Sequence, residues 1–289
     1  MIKKFSLPGF YHTFDIIVSF LKYRQEHIEY FYEDRIIESI YDVPPDTIWG
    51  GGREPQPPMR QINMDTINNT FTKDFPSIEL RYVFTNTLIT PEIIQDYKSN
   101  QLLKRYIRAQ DSIIINHKLL IYYIQTYFPQ IKLIYSTTLD IKDIQQVNKL
   151  TEHNLYVLNY AYNNDNKYIS QLTNKNNIEI LCAEPCSPDC KMRVKHYESI
   201  SRMYLGLPGL DIPCPFNSPD HIYDLEQKLT QKNAVTNERI DELAQIGITH
   251  FKLTGRGLKV PPLLEIFLYY LVKPEYRNRV RNHLLTEWW

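Results

Sequence analysis

The sequence predicts an α/β protein of the (β/α)8, TIM-barrel-like class, and three observations carry that prediction. Short, near-continuous apolar segments recur along the chain, each is followed by a stretch with helical spacing, and the connections are brief. Strands that are apolar on both faces and alternate with helices signal a parallel sheet covered by helices. Two closures compete, a barrel and an open doubly wound sheet. No G-x-G-x-x-G follows the first strand, which removes the main mark of a dinucleotide-binding open sheet and favours the barrel.

The elements follow in order. Phe14, Ile17, Val18 and Leu21 stand at helical spacing within an N-terminal segment, 1–30, that reads as a helix. Residues 34–41 form the first expected strand. The Pro-rich stretch 42–58 then carries Trp49, three glycines and Arg53; its glycines permit a close approach to a ligand, or an ordinary surface connection. Further strands are expected over 79–85, 112–115, 132–135, 155–158, 178–181 and 250–253, with helices over 92–108, 119–128, 141–150, 167–172, 191–202, 221–229 and 238–246 between them. That makes seven strands. The eighth is expected between 204 and 223, where the pattern is poor, so the barrel is expected to be incomplete or distorted near its seventh strand. Two helices within 261–289, split by Pro274, close a single barrel domain of 289 residues.

Lys and Arg together number 33, as do Asp and Glu, so no bulk field draws the chain to nucleic acid or an anionic membrane. The first eight residues carry two lysines and Pro8 instead of a signal-peptide apolar run, and the longest apolar stretches are too short to span a bilayer. A cytoplasmic location is the expectation. In that compartment clustered cysteines serve as metal ligands or reduced thiols more readily than as disulfides.

Chemistry in a parallel barrel gathers at the C-terminal ends of the strands. The first polar residues after the expected strands are Asn86, Asn116, Ser136, Thr137, Asn159, Glu184 and Arg256, with Lys252 inside the last strand. Amides, hydroxyls, one carboxylate and cations suit a polar small molecule, anionic or multiply hydroxylated. Glu184, Lys252 and Arg256 are the candidate catalytic groups. Arg53, Asn86, Asn116, Asn159, Arg193 and His196 are the candidate substrate-binding groups, although asparagine at a strand end also caps its own turn.

All four cysteines lie between 178 and 214. Cys186 and Cys190, with three residues between them, can clasp one metal, and Cys214 can complete the shell. The fourth donor is Cys182, or His196 if Cys182 only packs in the wall. An iron–sulfur cluster prefers four thiolates, whereas zinc accepts either four cysteines or three with a histidine. The spacing does not choose between them. No G-x-S-x-G, H-E-x-x-H or Walker A sequence is present.

The run from Glu179 through Cys182, Glu184, Cys186 and Cys190 to Arg193, His196 and Tyr197, with the later segment from Gly247 to Arg256, resembles the collagenase-like peptidase superfamily. That group includes the oxygen-independent ubiquinone-biosynthesis and RNA-hydroxylation proteins. The resemblance covers mainly residues 155–257. It implies a TIM-barrel-like fold and a four-cysteine 4Fe–4S cluster on Cys186, Cys190, Cys214 and Cys182, with Lys252, Gly255 and Arg256 in the terminal strand motif. Three functions follow as expectations. They are an oxygen-independent hydroxylase acting on a polar small molecule or nucleic acid base, a hydrolase or lyase with a structural zinc, and a non-catalytic barrel that binds or assembles with a protein partner.

Overall fold

The computed structural model describes residues 1–214 and 223–288. Eight parallel strands close on themselves in sequence order: β1 Lys3–Pro8, β2 Arg35–Asp42, β3 Glu79–Phe84, β4 Ser112–Ile115, β5 Lys132–Tyr135, β6 Leu155–Val157, β7 Ile178–Cys182 and β8 His250–Leu253. The helices are α1 Phe14–Glu26, α2 Met64–Lys73, α3 Pro91–Ile94, α4 Tyr97–Tyr106, α5 Lys118–Tyr127, α6 Ile144–Leu150, α7 Asn166–Ser170, α8 Arg193–Tyr204, α9 Leu225–Leu229, α10 Asn237–Gln245, α11 Val260–Leu271 and α12 Arg277–Trp288.

The barrel of the sequence reading is therefore present, but its eighth strand is at the other end of the chain. Residues 205–214 hold no strand, and 215–222 lie outside the described residues. β7 pairs directly with β8, so the sheet has no opening there. The missing strand is β1, which pairs with both β2 and β8 and closes the barrel. Its two lysines and Pro8 disguise it. Phe5 and Leu7 turn outward into the helix layer, while Ser6 turns inward to hydrogen-bond Ser39 and accept from Arg81. The segment 178–182 is consequently the seventh strand. The single helix expected over 92–108 is two, because Asp96 caps a new start by accepting from the Ser99 backbone N–H at 2.8 Å.

Strand alternation sorts the side chains onto two sides. Outward residues such as Ile178, Ile180, Phe251 and Leu253 pack with α1 and α11 in the large core between sheet and helices. Inward, Tyr41, Val83, Ile114, Ile134, Val157 and Leu181 form a separate apolar ring. Below that ring lies a buried polar layer. Arg81 donates to Glu179 at 2.6 Å, Glu79 at 2.8 Å, Glu38 at 3.0 Å and the Ser6 hydroxyl at 2.9 Å. The ring separates this layer from the C-terminal mouth, where the loops converge.

Candidate functional site

The loop after β2 covers the mouth because tryptophan and glycine put it there. Trp49 is fully buried, lies edge-on to Phe84 at 5.3 Å and donates its indole N–H to the Ile93 carbonyl at 2.9 Å. Beyond it, a Cβ on Gly51 would fall inside van der Waals contact of the Thr85 carbonyl oxygen, so only glycine allows this approach. Gly52 has φ +76 and turns the chain inward. Arg53 is thereby brought over the barrel axis, where its guanidinium pairs with the carboxylate of Glu184.

Glu184 reaches that position by a different device. β7 ends at Cys182, and Ala183 adopts φ +59, a left-handed conformation rare outside glycine. The kink turns Glu184 into the mouth, where it is 3% exposed. It accepts from the Cys186 backbone N–H at 3.2 Å and the Thr254 hydroxyl at 3.5 Å as well as from Arg53.

Lys252 is an inward residue of β8 and is 6% exposed. Its amine lies 3.6 Å over the Tyr41 ring and has no carboxylate partner among the described residues. Burial brings its pKa down to about 7; the attraction of Glu179 opposes that shift, and the repulsion of Arg81 and Arg256 adds to it. Arg256 follows on the loop after β8 and donates to the Gly51 carbonyl at 3.0 Å.

These groups enclose a small cavity, about 60 Å³, whose walls include Arg53, Glu184, Lys252, Arg256, Tyr160 and Thr85. Two guanidinium groups, with the partly neutral Lys252 amine beside them, face one carboxylate. The buried Thr85 hydroxyl has no partner among the described residues. An unsatisfied buried donor beside excess positive charge suits an anionic, hydrogen-bonding ligand.

The sequence-predicted site residues divide sharply. Arg53, Glu184, Lys252 and Arg256 line the cavity, with Ser136 and Thr137. The three asparagines, none of which lines it, bind protein. Asn86 donates to the Ile48 and Ser201 carbonyls, Asn116 to the Thr85 carbonyl and the Thr138 hydroxyl, and Asn159 to Asp140. Arg193 also serves the scaffold. It holds Asp140 and Asn159 at 3.0 Å and ties down the cysteine loop through the Ser187 and Pro188 carbonyls. His196 is half-buried near Arg53, and burial together with that cation lowers its pKa.

The four cysteines are not all brought to one point: Cys186 and Cys190 are near enough to interact, but Cys182 is not with them. Cys182 continues the outward alternation of Ile178 and Ile180 and is buried in the core between sheet and helices. Cys186 sits inside the mouth, packed against the inner ring. Burial and the neighbouring Glu184 carboxylate push its thiol up, towards the protonated form. Among the described residues no three His, Cys, Asp or Glu side chains converge as a metal site. The four thiols thus do not fit a four-cysteine cluster, because the strand wall separates Cys182 from Cys186.

Sequence reasoning missed Tyr41, Thr85, Tyr160, Tyr197 and Thr254, all of which line the cavity. Strand alternation extended one residue past each apolar run would have marked Thr85 and Thr254. No family model matches the chain, and no curated protein matches its sequence. Among the described residues no helix is long and apolar enough to cross a membrane.

Proposed function

We propose that this chain is a barrel enzyme of the lyase class that uses the Lys252 amine as a nucleophile towards a small anionic carbonyl compound. One observation carries the reading: a lysine buried at the catalytic end of a parallel barrel, unpaired by any carboxylate among the described residues, with its pKa near 7. Such an amine is substantially uncharged at neutral pH, the state needed to attack a carbonyl. Nζ adds to the carbonyl carbon, the carbonyl oxygen takes up a proton, and loss of water leaves a protonated iminium. That cation accepts the electron pair released when the C–C bond between the α-carbon and a hydroxyl-bearing β-carbon breaks, the β-hydroxyl giving up its proton and the departing fragment leaving as an aldehyde. Reprotonation at carbon and hydrolysis then restore the amine. Arg53 and Arg256 hold the substrate's anionic group, and Glu184 is the nearest carboxylate available to accept a proton.

The iron–sulfur hydroxylase and structural-zinc readings have weaker support: the cluster needs Cys182 together with Cys186, Cys190 and Cys214, and a zinc shell of three cysteines with His196 needs donors that do not converge in threes among the described residues. Four free thiols do suit a reducing, cytoplasmic location. The test is reductive trapping. Borohydride added in the presence of glyoxylate, pyruvate or dihydroxyacetone phosphate is expected to leave one stable adduct, located on Lys252 by peptide mass analysis and absent from Lys252→Met. Adducts spread over surface lysines, or none at all, reject the reading.

A further inference from the structure

A second group of side chains at the barrel mouth has the form of a proton-transfer site and lies outside the Lys252 cavity. Asp42, the last residue of β2, is fully buried. It accepts from the backbone N–H groups of Tyr11 at 3.1 Å, His12 at 2.9 Å and Val43 at 2.9 Å, and its Oδ1 lies 2.8 Å from His12 Nδ1. Burial alone would raise the Asp42 carboxyl, but His12 and the nearby Arg256 hold it below the usual range, so it stays ionised. In the neutral imidazole an acceptor-only carboxylate fixes the proton of His12 on Nδ1. Nε2 is left as an acceptor with no protein partner among the described residues. His12 follows β1 and Asp42 ends β2, so the pair is built from adjacent strand ends on the functional face.

His12 forms part of the wall of a cavity of about 250 Å³ with Tyr11, Pro44, Pro45, Thr47 and Tyr204. The inner and outer cavities adjoin, because Arg256 of the inner one lies against Tyr204 of the outer one. The outer walls combine rings and aliphatic faces with the oriented His12 imidazole, the Asp46 carboxylate, the Thr47 hydroxyl and the Gln56 amide. The inner walls carry the cationic excess.

We infer that the outer cavity is a second subsite, with His12 as its hydrogen-bond and proton acceptor, for the hydroxyl-bearing part of a ligand whose anionic end occupies the inner cavity. The ligand class is a small phosphorylated or carboxylated polyhydroxy compound. This inference rests on the inner cavity's taking an anion. His12 Nε2 accepts the proton of a substrate hydroxyl, and Asp42 is a positioning residue that sets the tautomer.

The test uses the full chain with nitrogen-15 histidine and carbon-13 lysine, His12 and Lys252 being assigned from His12→Gln and Lys252→Met. In the free protein His12 is expected as the Nδ1–H tautomer, and Asp42→Asn is expected to shift it towards Nε2–H. An Nε2–H tautomer in the unsubstituted protein overturns the proposal even if Asp42→Asn fails to fold. Ribose 5-phosphate at millimolar concentration is expected to move both resonances, and inorganic phosphate only that of Lys252. If ribose 5-phosphate moves Lys252 and leaves His12 in place, the outer subsite is rejected and the inner one stands. If it moves neither, both are rejected.

Discussion

A lysine in an apolar barrel carries a cost that the chain retains at one position. Lys252 sits above the Arg81 layer, beside Tyr41 and Leu181, with burial as the largest influence on it. Its folded pKa lies below the unfolded value, so the unfolded chain binds more protons between the two, and stability contributed at this site rises with pH across that window. The destabilisation is complete below about pH 7, shrinks as pH rises towards the unfolded value near 10.4, and vanishes above it. Lys252→Met is therefore expected to stabilise the protein at pH 6 by roughly 1–4 kcal/mol, the range found when buried charge is replaced by well-packed apolar side chains. The gain should fade by about pH 10. Denaturant melts at several pH values check it, and a loss of stability at pH 6 would make Lys252 a structural residue. Sequence alone showed that Lys252 occupies a strand; it did not show the inward orientation, which depends on pairing with β1 and β7.

Among the elements, the loop after β2 does the most to shape the site. In the sequence its glycines fit a ligand loop and a surface connection equally well, because the deciding contact is with the Thr85 carbonyl, a residue more than thirty positions away. Gly51→Ala is expected to displace the loop, withdraw Arg53 from Glu184 and lower stability by roughly 1–3 kcal/mol, the usual range for overpacking. Adduct formation on Lys252 should weaken because an anion-binding cation is lost. Trapping yield and melting temperature together check this, and a variant unchanged in both would show that the loop does not depend on the close approach. The asparagines show the opposite limit of sequence reading. Asn86, Asn116 and Asn159 stand at strand ends as predicted, yet each spends its amide on neighbouring protein groups that only the fold brings near.

At the scale of the molecule, the barrel was readable because six of the strands and β8 combine apolar runs with helical spacers. β1 was not, since a strand in which Lys4, Ser6 and Pro8 interrupt the outward-facing Phe5 and Leu7 looks like a charged leader. Missing β1 also concealed His12, which depends on that strand for its place beside Asp42. The cysteines show what spacing cannot supply. Cys182 and Cys186 are near in sequence, but strand alternation and the kink at Ala183 send them to different sides of the wall. What unites the fold is a barrel whose mouth surrounds one buried amine with guanidinium groups, tyrosines and a single carboxylate. The most direct measurement on that arrangement is the titration of the Lys252 side chain, followed through its carbon-13 Cε resonance against pH and assigned by its absence in Lys252→Met. A midpoint near 7 is the expected result; a midpoint at the ordinary lysine value of about 10.4 would contradict the account.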